Sequence, residues 1–202
     1  IARRSAQTAL YHIAEALCRW IAPILSFTAD ELWKSIPGER GDSVLLENWY
    51  GELSALDSDD SMNMAFWQTI LELRSAVSKE LEALRSDKTI GSSLDAEVTL
   101  YVDSELKSIL DALGEELRFV LITSAANVED ISAADDSCIE ATIIDGNENS
   151  HTFKIKAGAS SNEKCVRCWH HREDVGSYDE HPELCGRCVE NVAGDGENRA
   201  FA

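Results

Sequence analysis

Residues 165–168 read Cys-Val-Arg-Cys and residues 185–188 read Cys-Gly-Arg-Cys, with sixteen residues between the two turns. Two thiolates separated by two residues can reach one metal from a tight turn. Two such turns complete a tetrahedron, which suits zinc because its filled d shell imposes no other geometry. The gap lies inside the window of roughly 15–20 residues found in such sites. Cys165, Cys168, Cys185 and Cys188 are therefore the expected ligands of one Zn2+. Four protein ligands leave no position for water, so the expected role is structural. Size points the same way, because a module of about 40 residues buries too little apolar surface to fold unaided. We assign residues 163–202 to this module and read 158–162 (GASSN) as a linker before it.

The remaining thiols and histidines receive plainer readings. Redox Cys-x-x-Cys motifs come singly ahead of a helix, not as a matched pair. The N-terminus, Ile1-Ala2-Arg3-Arg4, leads into a polar helical pattern and not an apolar signal core, which favours metal over disulfides. Cys18 and Cys138 read as ordinary thiols, and His170, His171 and His181 as surface groups. Arg167 and Arg187 occupy matching places in the two turns and should project outward. Trp169 either covers the cluster or stacks on a base, and covering is the favoured role.

Upstream, the pattern divides into helices and then strands. Ala6, Leu10, Ile13, Leu17 and Ile21 recur at three and four residues, giving a helix over 1–22 that Pro23 ends. Arg4, Thr8, Tyr11, Glu15 and Arg19 fall on its other face. Thr28-x-x-Glu31 reads as a capping box for a short second helix. Residues 37–57 look irregular, pinned by Trp49 and Tyr50. Met62, Phe66, Ile70, Leu73, Val77, Leu81 and Leu84 then mark a long helix over about 59–86. After Gly91 we expect a strand over 98–102, a helix over 104–113, and either a strand or a helix start over 117–123. A hairpin over 139–156 turns at Asp145-Gly146-Asn147. The expected fold is mainly an α-helical bundle (1–90), then a small α+β junction unit (91–162), then the four-cysteine zinc module.

Charge limits the partners. The 202 residues carry 18 Lys and Arg against 37 Asp and Glu, a net charge of −19, which repels nucleic acid in general. The longest apolar stretch, 20–25, is far below the ~20 residues of a membrane span. A cytoplasmic, monomeric chain with no membrane contact is expected. Residues 1–50, with five basic and six acidic groups, are the least repulsive part. The zinc module has five basic against nine acidic groups, so it is not a generic nucleic-acid finger.

Three stretches nevertheless resemble one family. Lys164-Cys-Val-Arg-Cys-Trp-His170, His181-Pro-Glu-Leu-Cys-Gly-Arg-Cys-Val189 and the tail Asn191-Val-Ala-Gly-Asp-Gly-Glu-Asn-Arg-Ala-Phe-Ala202 resemble the zinc-binding C-terminus of bacterial isoleucyl-tRNA synthetases. Arg3 to Tyr11 and Ala22 to Trp33 are similar to the anticodon-binding helices of class I synthetases, and Ile90 to Asp95 to the segment that follows them. The helical stretches alone would suit valyl or leucyl relatives too. The resemblance implies a C-terminal fragment that recognises the anticodon arm of isoleucine tRNA, for an enzyme that joins isoleucine to tRNA with ATP. The chain lacks the His-x-Gly-His and Lys-Met-Ser-Lys-Ser signatures. No residue is therefore assigned a catalytic role, and ATP and isoleucine would bind an N-terminal catalytic part of the same polypeptide. The candidate RNA contacts are Arg4, Thr8, Tyr11 and Arg19 on the first helix, with Arg167, Trp169 and Arg187 on the finger. Two rivals remain, the finger of a DNA glycosylase-like protein and a protein-docking zinc module. The glycosylase reading also requires a catalytic N-terminal proline, and this chain has none at its start.

Overall fold

A computed structural model describes residues 2–197 and residue 199; position 1 and, in the tail of the expected zinc module, positions 198 and 200–202 lie outside the described residues. The described residues contain six α-helices and a four-stranded mixed sheet. They fold as two compact units, one running to residue 55 and one covering 56–197. Among them, no helix is long and apolar enough to cross a membrane.

The first unit holds α1 (Ala2–Ile21) and α2 (Ser26–Ser35). Pro23 follows α1 as expected. The capping box does not form, because α2 already begins at Ser26, whose hydroxyl donates to the Ala22 carbonyl at 2.9 Å, and Thr28 lies inside the helix. The buried side of α1 also differs from expectation. Glu15, Ala16, Cys18 and Ala22 are buried, with Cys18 and Ala22 packed among Ala29, Trp33 and Val44, while Leu10, Ile13 and Leu17 are exposed. The buried side carries an ion-paired cluster. The Glu15 carboxylate pairs with both Arg19 and Arg40, and each guanidinium lies 4.5 Å from the Trp33 ring centroid. A carboxylate this buried is tolerable only when paired. Burial raises its pKa, but bonds from Arg40, Arg19 and Tyr11 outweigh that and hold it below the ordinary value. Tyr50 pins the irregular stretch through its hydroxyl, 2.6 Å from His12 Nδ1; Trp49 is exposed and pins nothing.

The second unit is a sheet with helices packed on it. Helix α3 (Met64–Ser86) starts later than expected because Asn63 accepts the Phe66 amide at 3.1 Å and caps it there. Ile70, Leu73, Val77 and Leu81 are buried, as their spacing implies, but they pack on the sheet. The strands β1 (Ala96–Val102), β2 (Ala125–Asp130), β3 (Ile139–Ile144) and β4 (Ser150–Ala159) lie in the order β2-β1-β4-β3. Only β1 and β2 are parallel, joined through α4 (Ser104–Asp111) and α5 (Leu117–Leu121). Residues 117–121 thus form a helix, which Ile122 ends by adopting a left-handed conformation (φ 59°). Alternate residues of β1 (Ala96, Val98, Leu100, Val102) are fully buried in the core with Leu106, Leu110, Leu117 and Phe153. Gly146 in the hairpin sits under the first turn of α3, where a Cβ would lie 2.2 Å from the Ala65 carbonyl oxygen.

Residues 158–162 are not a free linker. Gly158 and Ala159 continue β4 and pair with Glu97 and Ala96 of β1. Ser160 and Asn162 then donate to the Glu97 carboxylate, Asn162 at 3.0 Å. The ladder needs only backbone groups, so small residues serve it without a side-chain signal.

His151 stands buried between two carboxylates, 3.3 Å from Asp103 and 3.2 Å from Asp145. Burial lowers its pKa, but the two carboxylates prevail and raise it above the ordinary 6.5. Burial likewise raises Asp145, but backbone and side-chain donors at Asn149, with His151, bring it down to about 2. A raised histidine stabilises fully below its unfolded pKa, and that contribution is lost as pH climbs through the folded one. The Asp145 contribution is present above 3.8 and lost toward 2. The thermal stability gap between the chain and His151→Gln should therefore be widest between about pH 4 and 6.5 and narrow on the alkaline side. Melting scans from pH 4.5 to 9 check this; a gap that does not change with pH refutes it.

Candidate metal centre and RNA-facing residues

The two Cys-x-x-Cys turns converge. The sulfurs of Cys165, Cys168, Cys185 and Cys188 all lie within 4.8 Å of one another, and Cys168 and Cys185 are 3.7 Å apart. A tetrahedral metal with sulfur at about 2.3 Å would space its sulfurs about 3.8 Å apart, so the donor set fits zinc. All six cysteines are free thiols. Each ligand turn is set by backbone bonds. The Trp169 amide donates to Cys165 O and the Cys165 amide to His170 O, both at 2.9 Å. The second turn runs into α6 (Gly186–Ala193), with Cys188 in its first turn and Asp174 accepting the Gly186 amide at 2.8 Å. A Cβ at Gly186 would meet the Tyr178 hydroxyl and the Asp174 carboxylate, so a larger residue there would displace those side chains.

The thiols feel opposite pressures. Burial raises Cys185 and Cys188. Burial also raises Cys165, but amides of Cys168, Cys185 and Arg167 outweigh it and bring that thiol down to about 6. Thiols buried together need a cation to ionise together, and zinc would supply it by taking thiolates as ligands.

Two of the three nearby histidines, His170 and His171, are built into the structure and are not surface groups. His170 is buried, its ring edge-on to Phe119 with centroids 5.6 Å apart and its Nδ1 3.5 Å from Arg118 NH1. Burial, with the charges of Arg118, Arg187 and Arg172, lowers its pKa to about 4, so it is neutral. The His171 amide donates to Ser124 Oγ at 2.6 Å, and its ring lies 2.6 Å from the Asn162 carbonyl oxygen and 3.4 Å from Asp95. These contacts dock the finger on the sheet unit. A second cluster, Glu105 with Asp145 and His151, shares Asp145 and His151 with the histidine bridge described above.

The expected RNA residues are dispersed. Arg4 and Thr8 are exposed on α1, with the Thr8 hydroxyl donating to Arg4 O. Tyr11 is partly exposed. Arg19 is committed to Glu15 and Trp33 and lies 3.8 Å from Glu47. Arg167 is exposed, yet its Nη1 reaches Cys188 Sγ at 3.5 Å, while half-buried Arg187 reaches Glu197 at 3.3 Å and lies on the Phe119 ring. Arg167 turns toward the sulfurs and Arg187 is held within the protein, so neither simply projects outward. Trp169 is 61% exposed in a left-handed conformation (φ 66°), so it does not cover the cluster. Sequence reasoning missed Arg118, which is buried on α5 beside this group; one arginine within the apolar run Leu117–Leu121 gives no signal of where it points.

Comparison with known proteins fits this architecture. Residues 1–100 match the anticodon-binding domain of tRNA ligase, a match that crosses the boundary between the two compact units. Residues 162–191 match the zinc finger found in FPG and IleRS. At its two ends the chain is thus similar to the anticodon-binding helices of tRNA ligases and to a zinc finger of the kind found in FPG and IleRS. Over its whole length the chain is homologous to isoleucine–tRNA ligases. It is 57% identical over 202 residues to that of Alkalilimnicola ehrlichii, 58% over 201 to that of Halorhodospira halophila and 52% over 202 to that of Pseudomonas aeruginosa. Each match takes in all of this chain and 21% of the relative, so the chain spans about a fifth of the length of those relatives.

Because the finger is docked on the sheet unit, metal removal should be felt on both. After chelation, amide exchange should accelerate in 164–193 and also in 122–126, where Ser124 holds His171, while protection in α1 and α2 persists. Exchange mass spectrometry with and without chelator checks this. Faster exchange confined to the finger would refute the coupling.

Proposed function

We propose that this chain is the tRNA-recognition portion of an isoleucine–tRNA ligase, supporting ATP-dependent attachment of isoleucine to its tRNA. The observation that carries this reading is the similarity along all 202 residues to isoleucine–tRNA ligases from several bacteria. In this reading residues 1–90 grip the anticodon arm as part of a helical bundle, 91–162 form a junction, and 163–202 form the zinc-binding end. Cys165, Cys168, Cys185 and Cys188 hold one structural Zn2+. ATP and isoleucine bind the N-terminal catalytic part of the same polypeptide, outside this chain. The parent acts as a cytoplasmic monomer whose partner is isoleucine tRNA.

The candidate contacts now separate by chemistry. Trp169 is an exposed aromatic on a backbone-bonded knuckle, which suits stacking on an unpaired base. Arg4 and Thr8, and Tyr11 beside them, suit phosphate and sugar contacts. Arg19 braces the first unit internally. Arg167 and Arg187 could touch RNA only with the faces they do not turn inward.

The expected behaviour is specific. In the parent enzyme, Trp169→Ala should weaken tRNA binding by roughly 1–3 kcal/mol with little change in salt slope. Arg4→Ala should lower the salt slope by about one. A salt titration of binding to isoleucine tRNA, to a non-cognate tRNA and to duplex DNA checks both, with zinc content measured on each variant. Unchanged affinity and tRNA preference in both variants would make the finger a structural end-piece. Tighter binding to duplex DNA would favour the glycosylase-type reading.

A further inference from the structure

One arginine touches the thiol cluster and two share the Phe119 ring beside His170, one of these from outside the finger. Arg167 Nη1 lies 3.5 Å from Cys188 Sγ. Arg187, between the second pair of cysteines in sequence, pairs with Glu197 at 3.3 Å. Arg118, on α5 of the sheet unit, is buried, and its Nε has no hydrogen-bond partner among the described residues; the carboxylate of exposed Glu115 lies 3.9 Å from it. Arg118 and Arg187 both lie on the Phe119 ring, 4.3 and 5.0 Å from its centroid. Burying a guanidinium beside others of its own charge is costly unless an anion compensates. Burial and the charges of Arg172 and Arg187 do press on the Arg118 cation, and Cys168 relieves it. A divalent metal held by four thiolates is a net dianion, which is such a compensation.

We propose that Arg118, Arg167 and Arg187 form the outer shell of the metal centre, offsetting the charge of a zinc tetrathiolate and, through Arg118, tying metal retention to docking of the finger on the sheet unit. The proposal rests on the zinc reading above. Outer groups of this kind hold ligands in their charged form and slow their exchange. Arg118 also lies 3.5 Å from Nδ1 of the docked His170, which is two residues along the chain from Cys168, so its guanidinium stands at the seam between finger and sheet.

The test is the rate of zinc release from the zinc-loaded chain into excess chelator, read with a metal-sensitive dye. Arg118→Met keeps most of the apolar stem without the charge, and Arg167→Met does the same at an exposed position where folding is not at risk. Each should release zinc about tenfold faster or more, as loss of outer-shell partners generally does. Arg118→Lys, which keeps the charge, should release it more slowly than Arg118→Met. Release at the wild-type rate from Arg167→Met, or from a folded Arg118→Met, overturns the proposal. If Arg118→Met does not fold, Arg118→Lys and Arg167→Met decide, and wild-type release from Arg167→Met still overturns it. A wild-type chain that binds no zinc removes the zinc reading itself, a result distinct from wild-type-like release by the variants.

Discussion

Four sulfurs held within 4.8 Å of one another are the constraint on which the last forty residues depend. The finger has almost no other interior. Its buried cluster is Cys165, Cys185 and Cys188, with Cys168, Val175 and Leu184 partly covered. Little helix or sheet supports it; beyond α6 there is one isolated bridge, Lys164 to His171. A structural zinc contributes on the order of 10–16 kcal/mol of folding free energy in small modules, more than so few apolar contacts supply. The two knuckle turns, with the exposed Trp169 after the first and the start of α6 in the second, are built around those sulfurs.

The same constraint reaches into the sheet unit. Ser124 ends the loop after α5, accepts the His171 amide, and itself donates to the Leu94 carbonyl just before β1. Lys164 and His171 share Asp95, the residue that also caps the turn before β1 through the amides of Gly91 and Ser92. The start of the central strand and the first knuckle are thus bonded to common residues. A finger attached this way is part of the domain and not a tethered appendage, whatever the spacing of small residues before it suggests.

What was legible in the sequence follows from how local the signal is. The cysteine spacing encodes a metal site because ligand geometry is set within a few residues. The spacing of Ile70, Leu73, Val77 and Leu81 gave the buried face of α3, but periodicity reports that a face is covered and not what covers it; a sheet and a bundle leave the same stripe. Strand β2 (Ala-Ala-Asn-Val-Glu-Asp) carries no alternation because it is an edge strand, largely exposed, whose parallel partner is reached only through α4 and α5. On α1 the apolar stripe gave no sign of the buried Glu15, whose partners are Arg19, one helical turn on, and Arg40, beyond α2.

Those ion pairs bear on how an acidic chain can meet RNA. Of its eighteen basic residues, several are committed within the protein: Arg19 and Arg40 to Glu15, Arg187 to Glu197, Lys156 to Asp135. Cations spent this way add little to the long-range field, and a net charge of −19 opposes approach of a polyanion. Recognition by such a surface cannot rest on charge alone. It must draw on contacts that charge does not govern, such as stacking on unpaired bases and hydrogen bonds to base edges, which carry sequence information where phosphate contacts do not. On the tRNA-recognition reading proposed above, an acidic body with a few placed aromatic and cationic groups would give up generic affinity and keep the discriminating contacts.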